Sequence, residues 1–408
     1  MSEVANIPQL RFSEFSGEWE EKKLGELCKF TQGVQIPFSE QLTKYKEGAI
    51  RYLYIRDFFT DDFPYYVKDQ YPNKVIHTDE IMMVNTGNTA GKAFMGATGV
   101  LSNNAFKVSF DKTKVSNIFL FQRITSDTIQ RRIKSFFNAG GQPHLGHKNI
   151  AIIPMGFASL KEQQKIAAFL TAVDNKIEQL SKKKALLGEY KKGLMQQIFS
   201  QAIRFKADDG SAFPVWEEKK LGDIGHTFNG LTGKTKDDFG RGKPYIQYMQ
   251  IFESSKINID NFGLVDVRDD ENQKVAQYGD VFFTTSSETP DAVGYSSVLL
   301  DDIDKLYLNS FCFGFRPNSL DELSPNFAQF LLRSANFRRR VVRLAQGSTR
   351  YNMSKVQLMK EVISLPCLKE QTKIANFLSS IDSKIEQVSK QLDESKQFKK
   401  ALLQQMFV

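Results

Sequence analysis

Two polar loops hold the side chains best suited to gripping a polyanion or the edge of a base. Asn85-Thr86-Gly87-Asn88-Thr89-Ala90-Gly91-Lys92 offers amide, hydroxyl and ammonium groups among glycines, and Thr284-Thr285-Ser286-Ser287-Glu288-Thr289-Pro290 offers a glycine-free run of hydroxyls. Such groups suit phosphate and base-edge contacts, and they equally suit solvated turns. Other chemistries fail on spacing. In Gly230-Leu231-Thr232-Gly233-Lys234-Thr235, Phe228 stands where a nucleotide phosphate loop needs its first glycine. His144 and His147 lie three apart with no Cys or acidic partner at ligand spacing, which argues against zinc. Cys28, Cys312 and Cys367 are scattered, and none belongs to a recognisable Cys-His nucleophile motif. The chain has no Pro-Pro, so it lacks the Asn/Asp-Pro-Pro-aromatic tetrad of amino-methyltransferases. These absences point to a chain that is not an enzyme.

The frame around these loops is large enough for two or three domains. The chain has 408 residues, 41% apolar and 25% charged, close to the averages of globular proteins. No uncharged apolar run approaches the roughly 18 residues of a membrane span. Residues 1–10 carry no basic-then-apolar signal and the cysteines form no disulfide framework, so a reducing cytoplasm is expected. The net charge of +8 and pI near 9.1 invite nucleic acid as a partner. The distribution is uneven: residues 161–200 carry eight basic and four acidic side chains and residues 369–408 seven and five, so six of the eight excess charges lie there. Phenylalanine, at 34 against two tryptophans, reads as core.

The chain is also a duplication. Residues 160–200 align without a gap on residues 368–408, with 22 identities in 41 positions at a constant offset of 208. A second anchor opens each half: Trp19-Glu20-Glu21-Lys22-Lys23-Leu24-Gly25 and Trp216-Glu217-Glu218-Lys219-Lys220-Leu221-Gly222. Between the anchors only the order of features is shared: an aromatic extended segment (52–59; 245–252), an apolar strand opened by Glu80 or Asp280, and a polar loop. An Arg-rich helix (117–137; 325–344) and a Gly turn (Gly140-Gly141; Gly347) follow. The expected organisation is two variable α+β domains, 1–159 and 201–367, and two helical segments, 160–200 and 368–408.

In the first helical segment Ile166, Leu170, Val173, Ile177, Leu180, Leu187, Leu194 and Ile198 follow a heptad alternation broken at Lys184 and Lys191. The second keeps the register with Ile374, Leu378, Ile381, Ile385, Val388, Leu392, Leu402 and Met406, broken at Ser395 and Lys399. Two such helices would bury their stripes on each other as a long coiled coil. Phe169, Leu186, Tyr190, Phe199, Phe377, Phe398 and Phe407 lie off the seam, available to the globular domains or to partner helices. Pro154 and Pro366 precede the helices, with a spacer 155–159 ahead of the first and only Cys367 ahead of the second.

The repeated Leu-Lys-Glu-Gln-x-Lys-Ile-Ala-x-Phe-Leu-x-x-(Val/Ile)-Asp-x-Lys-Ile-Glu stretch and the Trp-Glu-Glu-Lys-Lys-Leu-Gly openings resemble the DNA-sequence specificity subunit of type I restriction-modification enzymes. The resemblance covers almost the whole chain. It implies two target recognition domains, each reading one half of a bipartite sequence on double-stranded DNA, and an antiparallel coiled coil with pseudo-twofold symmetry that sets the gap. It also implies a subunit without a catalytic centre. S-adenosylmethionine, ATP and magnesium would sit on its partners, two methyltransferase (modification) subunits and two restriction/translocase subunits. Because the variable domains differ, the target should not be palindromic, and two readers on a rigid spacer should meet half-sites about one helical turn apart. A coiled-coil scaffold with two domains for ligands other than DNA is the alternative.

On that resemblance the base-reading candidates are Arg56 and Gln250, taken to occupy matching places, since Arg suits guanine and Gln adenine. Next come Asn85, Thr86, Asn88 and Lys92; Ser286, Ser287 and Thr289; and the turns holding Gln142, His144 and Lys148, and Arg350. Arg131 and Arg132, like Arg338, Arg339 and Arg343, read as phosphate clamps or as a solvated helix face.

Overall fold

The computed structural model describes residues 6–60, 62–137 and 141–407; Gly140 of the expected turn and Val408 at the end of the repeated segment lie outside them. The chain divides into two compact units, Met1–Ser181 with Lys390–Val408, and Lys182–Ser389. Each unit thus contains one globular region and a stretch of both long helices.

In the first unit β1 (Glu20–Lys23) leads into α1 (Leu24–Leu27) and pairs antiparallel with β10 (Pro154–Phe157). The main sheet is antiparallel, in the order β2 (Cys28–Gln32), β9 (Ala105–Phe110), β6 (Ile81–Val84) and β7 (Ala93–Phe94). β6 is apolar at all four positions because both its faces are covered. Ile81 and Met83 pack under α2 (Asn117–Thr125) and α3 (Asp127–Lys134), against Phe119, Ile129 and Ile133. Met82 and Val84 face Leu53 and Leu101 of a second sheet. That sheet runs β4 (Tyr65–Lys68), β3 (Ala49–Leu53), β8 (Gly99–Leu101), β5 (Val75–Ile76), with β3 parallel to β8. A short helix α4 (His147–Ala151) precedes β10.

The second unit repeats this plan. β11 (Glu217–Lys220) and α6 (Leu221–Ile224) lead in, and β11 pairs with β22 (Val362–Leu365). The main sheet runs β12 (Gly225–Asn229), β19 (Cys312–Pro317), β15 (Val281–Thr284), β17 (Ser296–Val298), and the second β14 (Gly263–Val265), β13 (Phe239–Ile246), β18 (Tyr307–Leu308). β13 and β18 are parallel, as β3 and β8 are. After α7 (Tyr248–Glu253), α8 (Pro325–Leu331) and α9 (Ala335–Arg343) come a small ribbon and α10 (Lys355–Leu358). The ribbon joins β16 (Ser286–Ser287), β21 (Tyr351–Met353) and β20 (Ala345–Gln346).

Two expectations are corrected. Each Arg-rich helix is two helices, broken at Ser126 and at Ser334, where the hydroxyls satisfy backbone groups freed at the break: Ser126 Oγ donates to Arg123 O at 2.7 Å and Ser334 Oγ accepts from Phe337 N at 3.3 Å. The spacer 155–159 is not an insertion. Pro154 opens strand β10, whose end at Phe157 matches Leu365 of β22 at the constant offset of 208, so Pro154 and Pro366 are not counterparts.

The long helices are α5 (Leu160–Phe199) and α11 (Leu368–Gln405). In the second unit they run antiparallel: Lys184 Nζ donates to Ser389 Oγ at 2.8 Å while Lys191 pairs with Asp382. In the first, Lys399 pairs with Asp174 at 2.6 Å, and Ile166 and Leu170 share a core with Leu402 and Met406. The polar breaks in the heptads at Lys191 and Lys399 are thus ion-pair partners at equivalent positions, which fix register. Off the seam, Phe169 meets Phe12, Phe377 meets Phe205, and Phe199 and Phe407 are buried. Leu186, Tyr190 and Phe398 stay exposed.

The repeated motifs are the bolts between helix and domain. Glu162 is buried, accepting from Arg11 at 2.7 and 2.8 Å and from the Trp19 indole at 3.2 Å. Glu370 is buried likewise, with Arg204 at 3.2 and 2.6 Å and Trp216 at 3.1 Å. A buried carboxylate is tolerable only with such pairing. Gln163 and Gln371 accept from Ser116 N (3.0 Å) and Ser324 N (2.9 Å), holding the starts of α2 and α8.

Candidate nucleic-acid interface

In the first unit three segments converge: the end of β2, the loop after β6 and the turn before α4. The Asn85 backbone ties its loop to the turn between β8 and β9, its N–H donating to Asn104 O (3.0 Å), and to the turn before α4, its carbonyl accepting from Leu145 N (2.7 Å). Thr86 pairs with His144 as an isolated bridge and contacts its Nδ1 at 3.0 Å. They enclose an open cleft of about 720 Å³, lined in part by Gln32, Asn85, Gln142, His144, His147 and Lys148. Gln32 uses its amide N–H groups on backbone carbonyls of Asn103 and Ala105, so its Oε1 accepts from His147 Nε2, 3.0 Å away. That leaves Nδ1 of His147 as an acceptor. Burial, and secondarily His144, push the His147 pKa below its ordinary value, so the ring is neutral at pH 7.

The second unit builds the same place from different side chains. Thr285 N donates to Phe311 O (3.1 Å) and Thr285 O accepts from Met353 N (2.9 Å); Ser286 pairs with Asn352 and Ser287 with Tyr351. Lys355 donates to Asn229 Oδ1, as His147 donates to Gln32, and lies over the Phe313 ring, 5.5 Å from its centroid.

The structure thus brings Asn85, Gln142, His144 and Lys148 into one cleft, with Thr86 on His144, and Ser286 and Ser287 to the corresponding pairing next to Arg350. Asn88, Lys92 and Thr289 are exposed further along the loops. Arg56 is exposed in the single helical turn after β3, over the Tyr54 and Tyr65 rings at 5.3 Å each. Its supposed match with Gln250 is off by one. Ser102 N bonds Leu53 O as Asn309 N bonds Ile246 O, which aligns Leu53 with Ile246 and hence Arg56 with exposed Met249 and Asp57 with Gln250. Gln250 is buried, and neither polar atom of its amide has a hydrogen-bond partner among the described residues.

The arginines divide by role. Arg338 donates to the carbonyls of Asp291, Val293 and Gly294, and its counterpart Gln130 to Gly91 O, so both hold the strand-end loops in place. Arg132 is tied to Pro154 O. Arg131, Arg339 and Arg343 are exposed, and Arg339 and Arg343 line a 160 Å³ hollow with Asn336 and Arg340. Among the described residues no three His, Cys, Asp or Glu side chains are grouped as metal ligands, and no helix is long and apolar enough to cross a membrane.

Sequence reasoning missed Gln32 and Asn229, although a signal existed: each is an amide followed by glycine, 13 residues after its anchor tryptophan. The glycines are obligatory, since a Cβ on Gly33 would lie 2.0 Å from Ser102 O and one on Gly230 2.1 Å from Asn309 O.

The profile of the type I restriction modification DNA specificity domain matches residues 16–188 and again residues 215–395. The chain belongs to the type I restriction-modification DNA specificity family. Each matched stretch begins just ahead of an anchor tryptophan and runs into a long helix, so the duplication seen in the residues is a duplication of this domain. The type I restriction enzyme MjaVIII specificity subunit of Methanocaldococcus jannaschii is 26% identical over 414 aligned residues, covering 95% of this chain and 91% of that one. The S subunit of the type I system of M. genitalium has the same fold, with a TM-score of 0.59 at 15% identity over 98% of this chain and 99% of its own. A chain from a structure on complex assembly and conformational transition of the type I system gives 0.57 at 18% identity over 94% and 96%. This specificity chain is therefore α+β, with two DNA specificity domains and two long helices, and is a subunit of a type I restriction-modification system.

Proposed function

We propose that each unit of this specificity subunit reads one half of a bipartite, asymmetric target on double-stranded DNA, and that α5 and α11 set the gap between the halves. One observation carries the reading: the cleft loops of the first unit and the loops that correspond to them in the second occupy the same place in a duplicated frame and differ in the side chains they present. His144, His147 and Lys148 of the first stand where the second has Asn352, Lys355 and Val356. A shared frame with divergent contact groups is what two readers of different sequences require. The chain supplies no cofactor chemistry; S-adenosylmethionine, ATP and magnesium belong to two modification and two restriction/translocase subunits docked on it. The test is a replacement of residues 201–366 by the corresponding region of a relative, followed by mapping methylated adenines in the presence of the modification partner. One half of the motif should change while the other half and the gap persist; a change in both would contradict modular reading.

The exposed Tyr190 and Phe398 support a two-copy partner, because they are the same position of the repeated helix, 208 residues apart. Two exposed aromatics in equivalent surroundings fit two copies of one modification subunit. Tyr190→Glu is expected to remove one copy and Phe398→Glu the other, read as a loss of one subunit mass by native mass spectrometry. Retention of both copies in each variant would place the contact elsewhere.

A further inference from the structure

We infer that residues 142 and 350 are the counterpart base readers of the two clefts, Gln142 addressing an adenine in the half-target of the first unit and Arg350 a guanine in that of the second. The inference rests on the proposed division of the target between the units. Its basis is register. Leu145 N bonds Asn85 O as Met353 N bonds Thr285 O; Gly87 N bonds Pro143 O where Ser287 pairs with Tyr351; Thr86 pairs with His144 as Ser286 pairs with Asn352. Each pair is separated by 208 positions on the turn side. One residue further out on the same strand of backbone, Gln142 stands where Arg350 stands, at the offset of 208 that the flanking helices keep.

Both side chains are exposed, and neither makes a hydrogen bond or ion pair among the described residues. Their neighbours are committed to the fold: His144 to Thr86, His147 to Gln32, Lys355 to Asn229, Arg338 to three carbonyls. Gln142 and Arg350 thus have unused donors at matching positions, as Lys148 has in the first unit only, and they are held on a backbone that is itself pinned by the cross-loop bonds. A glutamine amide matches N6 and N7 of adenine, and a guanidinium matches O6 and N7 of guanine. An amide and a guanidinium at one position of a duplicated frame give the two units different base preferences.

The experiment uses the full chain with its modification partner in a host free of other adenine methylation. Arg350→Gln should lower methylation of the native second half-target by about ten- to a hundredfold, at one base position, and leave the first half unchanged. Gln142→Arg should do the converse. The untouched half of the motif reports that each variant is folded and assembled. For a variant whose methylation is lost altogether, competition gel shifts with duplexes substituted one base at a time give the same readout. A uniform loss of affinity over all bases, with the salt slope reduced by about one, would mark a phosphate contact and overturn the inference. A wild-type complex yielding no bipartite motif would instead overturn the division of the target itself.

Discussion

Arg204→Ala is expected to cost the second unit about 3–5 kcal/mol of stability. The partner left behind, Glu370, is fully buried in the first turn of α11, and without Arg204 its one remaining side-chain donor among the described residues is the Trp216 indole at 3.1 Å. The guanidinium also ties Phe213 O and Pro214 O to the helix, so the segment leading to β11 loses its clamp at the same time. The large figure comes from the orphaned charge. Removing both charges as Arg204→Met with Glu370→Met should recover much of the loss, because an apolar pair of similar volume is no worse than a buried ion pair. The protein's two tryptophans sit one in each bolt, so urea unfolding followed by fluorescence in a Trp19→Phe background reports Trp216 and the second unit alone. A loss below about 1 kcal/mol would show that the pair is not what holds helix to domain. Arg11→Ala should behave the same way in the first unit, where Glu162 is held by Arg11 and Trp19.

These bolts explain why the duplication was legible where it was. Glu162, Gln163, Trp19 and their counterparts are fixed by buried polar geometry that tolerates no other side chain, so they recur letter for letter. The arginines completing them were overlooked, although Leu10-Arg11-Phe12 and Ile203-Arg204-Phe205 repeat as well; three residues in loops outside any periodic element give little signal. The heptad positions and both long helices followed directly from spacing. The clefts did not. Their counterpart positions are joined by backbone hydrogen bonds, which any side chain permits, so residues 142–148 and 350–356 share no identity and are matched by register and by the offset of their flanks. The pairing of Arg56 with Gln250 failed for a related reason: Tyr54 and Tyr248 look like counterparts, but the parallel strand pairs β3–β8 and β13–β18 align Tyr54 with Gln247. The split of each Arg-rich helix at Ser126 and Ser334 was missed because apolar residues continue at helical spacing across the break.

Lengthening both long helices tests the ruler, and the outcome depends on the twist of DNA as much as on its length. Insertions must be matched, because α5 and α11 are locked in register by Asp174–Lys399 and Lys191–Asp382, and they must come in heptads to keep the seam in phase. Near Gly188, where an added Cβ would meet no atom of the described residues within 4 Å, and opposite it in α11, one heptad in each helix adds about 10 Å, or roughly three base pairs. Three base pairs also turn the second half-site by about 100° around the duplex, since a full turn takes about 10–10.5. A coiled coil gains little rotation per heptad, so both clefts cannot face their grooves, and methylation should fall to background. Three heptads add about 31 Å, close to the 34–36 Å of one turn of DNA. A full turn returns the displaced half-site to its original face of the duplex. Genome-wide mapping should find methylation restored on a motif with both halves unchanged and a gap longer by about nine or ten base pairs. A single-helix insertion should fail at any length. If one heptad and three heptads both leave the original gap in place, the helices do not set it.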